Sequence, residues 1–134
     1  MLPRLALAAF TLAHAAIHLG YVSRRPPDSG GPAWPFELNR SWLLSRLGVD
    51  PGIVRLIGFA LVSATLAGYG LAALAALGLA PAGLWAPAIV GASAASIGVL
   101  SLFFHPWLAL GLAIDAAFLW VALAQQWGPA ALSS

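Results

Sequence analysis

Four apolar stretches, residues 2–22, 53–79, 84–104 and 107–127, are each long enough to cross about 30 Å of hydrocarbon as a helix rising roughly 1.5 Å per residue. A water-soluble fold has no place for four such segments in 134 residues, of which 61% are hydrophobic and only 7% charged. We therefore expect an all-α integral membrane protein. Residues 1–134 form one domain, a four-transmembrane-helix bundle in contact with the lipid bilayer.

The connections follow from the same pattern. Residues 23–52 are the one substantial polar loop, opened by Arg24-Arg25-Pro26-Pro27 and broken by Ser29-Gly30-Gly31-Pro32. Ala80-Pro81-Ala82-Gly83 turns the second stretch into the third. Phe104-His105-Pro106-Trp107 reverses the chain before the fourth, where proline suits the first turn of a helix. Within the polar loop, residues 37–47 are expected to form a short interfacial helix, with Asn39 or Ser41 near its start and Gly48 ending it. The basic start, apolar run and Ala13-His14-Ala15 resemble a cleavable signal peptide, but the apolar run continues to Val22, so we read it as the first span.

Arginine sets the orientation. Arg24, Arg25, Arg40 and Arg46 lie in the loop and Arg55 just beyond it, against Arg4 alone on the other side. The positive-inside rule then places the loop in the cytoplasm and both termini outside, in a multi-pass protein of the plasma or inner cell membrane. Trp85 and Trp127 belong to the outer aromatic belt in this reading, and Trp107 to the inner one.

Missing residue types narrow the chemistry. Without cysteine there is no disulfide or thiolate chemistry, and without lysine no Schiff base. No basic stripe or aromatic-basic module supports a nucleic-acid partner. Serine-nucleophile contexts, glycine-rich phosphate loops and paired carboxylates are also lacking, which argues against a hydrolase or kinase.

Against this background a few polar residues stand out. Thr11, His14, His18 and Tyr21 recur at helical spacing and share one face of the first stretch. Ala6, Ala9, Ala13, Ala16 and Gly20 form a second stripe, of the kind that lets helices approach closely. Gly91, Ala94, Ala95 and Gly98 do the same on the third stretch, for internal packing or dimerisation. Asp115 is the most demanding member, because a carboxylate near the bilayer centre costs about 2.5 to 3.5 kcal/mol even on the lenient insertion scale. Gly111 and Ala122 leave room on its face. Counted from the cytoplasmic ends, His14 and Asp115 have matching depth and should meet, with His18 and Arg55 shallower and His105 at the same mouth.

The expected ligand-binding set is therefore His14, His18, Arg55, Asp115, His105 and Tyr21, in the cytoplasmic half. A pocket of this kind suits a lipophilic small molecule or redox cofactor such as quinone or haem. A His-x-x-x-His pair with an aspartate has ligand types that suit a metal, but without the glutamate of a metalloprotease motif no metal site is assigned. Two alternatives belong to other classes. One is a structural or assembly subunit, paired with copies of itself or with a membrane complex; the other is a small transporter or proton-conducting channel.

Overall fold

Proline, aspartate and glycine decide where the long helices begin and end. In the computed structural model, which describes residues 1–23 and 34–132, the Asp50 carboxylate accepts hydrogen bonds from Gly52 N (2.8 Å) and Ile53 N (3.2 Å), with Pro51 at the first helical position. That cap starts the second helix two residues earlier than hydropathy suggests. Gly78 stops it with φ of 77°, a left-handed conformation in which glycine carries no Cβ penalty.

The elements are α1 (Leu2–Ile17), tightening into a 3₁₀ turn at His18–Tyr21; α2 (Pro51–Leu77); α3 (Trp85–Leu102); and α4 (Ala109–Leu119). Short 3₁₀ turns at Ala82–Leu84 and Pro106–Leu108 lead into α3 and α4. A wide π-turn at Trp120–Ala124 ends α4, short of the expected 127, because Gln126 adopts φ of 48° and cannot continue the helix. Counting these turns, Leu2–Tyr21, Pro51–Leu77, Ala82–Leu102 and Pro106–Ala124 are each long and apolar enough to cross a membrane.

The loop departs from expectation. In place of an interfacial helix over 37–47, residues 42–48 make turns. Ser41 Oγ accepts from Leu44 N, while Ser45 N and Leu47 N reach carbonyls four residues back, and Gly48 ends the run at φ of 74°. No longer helix forms because its starting residues serve α3. Ser41 Oγ donates to Leu102 O and Trp42 Nε1 to Ser101 O, both at 2.6 Å, satisfying carbonyls that the end of α3 leaves open. The arginine and glycine-proline motifs at 24–27 and 29–32 lie outside the described residues.

α2 and α3 form the central pair, with α1 against α2 and α4 against α3. α2 and α3 come close at Gly68, where a Cβ would stand 2.8 Å from Ala92 Cβ and 3.2 Å from Ala88 O. One apolar cluster gathers around Tyr69, Trp85, Ile89 and Phe118, the other around Val54, Val62, Val99, Leu100 and Phe103. Between them the buried polar side chains collect, whereas leucines, phenylalanines and tryptophans such as Leu56, Phe10 and Trp120 face outward. A cluster of buried polar groups in a bundle whose exposed faces carry large apolar side chains departs from the arrangement of soluble proteins.

The small-residue stripes divide between faces. On α1, Ala6, Ala9, Ala13 and Ala16 are exposed and Gly20 is half-buried against Phe36, while the helix packs inward through Ala8, Thr11 and Ala15 on the histidine side, which corrects the expected packing face. On α3, Gly91 and Ala94 are exposed, Ala95 and Gly98 are half-buried with Gly98 beside Leu61, and Ala92, Ser93 and Ser96 face in. Trp85 does not belong to an outward belt: it is buried, with its ring edge-on to Trp127 at 6.0 Å.

Candidate functional site

Every long helix sends a polar side chain to one point. Asp115 of α4, fully buried, lies at the centre. Gly111, one turn earlier, lets α4 come close: a Cβ there would meet Leu100 at 3.0 Å and His14 Cε1 at 4.0 Å. His14 Nε2 from α1 stands 2.8 Å from Asp115 Oδ1. Tyr69 Oη from α2 donates to the same oxygen. Ser96 Oγ from α3 donates to Oδ2 at 2.5 Å.

A second layer extends the network. His18 Nε2 lies 2.8 Å from Ser96 Oγ, and Ser93 Oγ 3.0 Å from Tyr69 Oη. Proton bookkeeping gives these contacts direction, because a hydroxyl has one hydrogen to give. Ser96 and Tyr69 spend theirs on Asp115, so Ser96 accepts from His18 Nε2–H and Tyr69 accepts from Ser93. All donors therefore run toward one carboxylate, which when ionised can only accept. Nδ1 of both histidines is buried without a hydrogen-bond partner among the described residues, which suits a bare acceptor nitrogen better than an N–H.

The rings around the network are packed. His14 meets Tyr69 at 5.2 Å and His18 at 5.6 Å, both edge-on. Phe118 lies 6.0 Å from the His14 ring and 5.5 Å from that of Tyr69. Its other side faces an apolar groove of about 270 Å³ between α1 and α4, walled by Leu7, Phe10, Ile114 and Ala117 and closed at one end by Trp85 and Trp127. Phe118 thus joins the rings of His14 and Tyr69, which hold the acid, to an opening that presents no polar surface.

Of the residues singled out in the sequence, the structure brings His14, His18 and Asp115 together. Thr11 faces inward but returns its hydroxyl to Leu7 O on its own helix. Arg55 does not join them. It is exposed, with its guanidinium 5.2 Å from the Phe59 ring centre, fourteen residues or roughly 21 Å along the helix axis from Tyr69. The reason is the length of α2, whose 27 residues carry its first turns well below the level of the network. Tyr21 is buried with its hydroxyl unpartnered among the described residues, and it lines a cleft with Arg55, Phe36 and Glu37. His105 accepts from Trp107 N at the start of the turn into α4 and borders a different cleft with Arg40 and Arg46.

His105 thus lines a different cleft from the network that holds His14 and His18. Among the described residues no group of three His, Cys, Asp or Glu side chains is placed to hold a metal ion.

Tyr69, Ser93 and Ser96 were not singled out. Ser93 and Ser96, three apart within an apolar helix, put two hydroxyls on one face, and that spacing was the available signal. Comparison of the chain with family models, curated proteins and solved structures returns no match.

Proposed function

We propose that this chain is a multi-pass cell-membrane protein whose four helices form a bundle, and that it binds a lipophilic, quinone-type small molecule in the groove between α1 and α4. The observation that carries the reading is Asp115, fully buried and bonded to His14 and Tyr69, both of which pack against Phe118, a wall of a wholly apolar inter-helix groove. An acid at this depth is expensive, and intramembrane ionisable residues mark ligand or proton sites by default. The groove supplies affinity for an apolar ring or tail. The Asp115–His14 pair holds an exchangeable proton behind it, which a movement of Phe118 brings within reach of a ligand carbonyl. Arg40, Arg46 and Arg55 at one end of the helices support a cytoplasmic loop; a cysteine introduced at Ser29 should then label only from that side.

Trp85 and Trp127 close the groove and so report on its occupancy. Titrating the purified protein with decylubiquinone is expected to quench tryptophan fluorescence saturably. Ala117→Phe, which fills the groove from an exposed position on α4, should weaken the apparent affinity about tenfold, the equivalent of about 1.4 kcal/mol. Linear quenching, identical in both proteins, is simple partitioning into the micelle and returns the network to a purely structural role.

A further inference from the structure

At the loop end of α3, two cavities share a wall. One is a cleft of about 430 Å³ between the 34–46 segment and residues 103–105, in which Arg40, Arg46 and His105 stand among Trp34, Trp42 and Phe103. The other is an apolar groove of about 370 Å³ bounded by Trp42, Ser101 and Phe104. Trp42 and Phe104 line both. The shared wall is fixed in place: Trp42 Nε1 donates to Ser101 O, and its neighbour Ser41, fully buried, donates to Leu102 O. Both arginines are exposed. Among the described residues the cleft holds one carboxylate, Glu37, which already accepts from Asn39 N at 2.9 Å.

We infer that this double cavity binds one anionic phospholipid, its phosphate between Arg40 and Arg46 and the upper part of an acyl chain against Trp42 and Phe104. The inference rests on the membrane reading above but not on the quinone groove. Guanidinium groups match phosphate oxygens with paired donors, and two of them against one engaged carboxylate favour a headgroup with net negative charge. The adjoining apolar groove selects lipid over free phosphate, which would leave the Trp42–Phe104 surface uncovered. Placement beside the arginine-rich loop puts the site at the cytoplasmic leaflet, where anionic lipids concentrate.

The test offers the purified full chain equal amounts of phosphatidylglycerol and phosphatidylcholine in maltoside micelles and counts bound lipid by native mass spectrometry. We expect about a tenfold preference for phosphatidylglycerol. The doubly substituted Arg40→Gln/Arg46→Gln protein should lose that preference with unchanged helical content, since both side chains are exposed. Trp42→Ala should reduce binding of both lipids and keep the preference. A preference that survives the double substitution, or is absent from the start, overturns the proposal. Complete displacement of phosphatidylglycerol by millimolar inorganic phosphate also overturns it, by showing a free-anion site. Flotation with neutral phosphatidylcholine vesicles separates the two readings. Failure to float removes the membrane assignment and this site with it, whereas flotation without lipid preference removes this site alone.

Discussion

Asp115→Ala is expected to lower the unfolding free energy by about 3 to 5 kcal/mol, measured as a loss of thermal stability and yield in detergent. The substitution removes the acceptor shared by three buried donors, His14 Nε2, Tyr69 Oη and Ser96 Oγ. Even at roughly 1 kcal/mol for each intramembrane hydrogen bond, three losses approach the lower figure. The cavity left by the carboxylate adds to it. Asp115→Asn should behave differently. Its carbonyl can still accept from His14 and Tyr69, and its amide can donate to Ser96 if Ser96 turns its hydroxyl toward His18. That reversal moves the His18 proton from Nε2 to Nδ1 and leaves no donor facing a donor. The Nδ1–H so formed has no partner among the described residues, so we expect the Asn protein to lose about 2 kcal/mol, still less than Asp115→Ala. A loss as large as that of Asp115→Ala contradicts the assigned direction of the network.

The second large effect is expected at Trp85. Trp85→Ala removes the largest fully buried side chain and should cost about 3 to 5 kcal/mol, read by thermal unfolding. Trp85 fills the space at the start of α3, meets Trp127 edge-on and stands 3.3 Å from where a Cβ on Gly128 would lie. Its loss should therefore also loosen the chain after α4, seen as faster proteolysis beyond residue 124. Trp85→Phe keeps the ring contact and should recover most of the stability, because the Trp85 Nε1 has no partner to lose among the described residues. Equal destabilisation by Ala and Phe contradicts this packing role.

The features legible in the sequence were those with a strong local cause. Four apolar runs of sufficient length give the spans, and proline, aspartate and glycine place their ends within a few residues. The meeting of His14 with Asp115 was legible because one helical stripe and one depth calculation suffice for two spans of ordinary length. Arg55 was misplaced because depth counted from the loop fails for α2, which is longer than its neighbours. The rotation of each helix was harder to read. In a helix whose outward and inward faces are both apolar, hydropathy does not distinguish them, and small residues suit either side. That is why the exposed Ala6 and Ala13 stripe looked like a packing face and why Tyr69, with a polar tip on a ring suited to any core, gave no signal. The loop misled for another reason. Ser41 and Gly48 are helix punctuation, but the side chains of Ser41 and Trp42 are committed to carbonyls of α3, a tertiary demand that the local sequence does not reveal.

The most direct test of the proposed proton-linked ligand site is decylubiquinone titration of Asp115→Asn beside the parent protein, with both first shown to be folded to the same extent. The Asn protein has the same groove, since none of its walls is altered, so it should still bind the quinone saturably. It lacks the ionisable carboxylate that accepts the His14 proton and recharges it, so reduction of the bound quinone by an added two-electron donor should slow at least tenfold while the apparent affinity changes by less than about threefold. Equal reduction rates in the two proteins, at equal occupancy, would contradict the account and leave Asp115 as a fastening between helices.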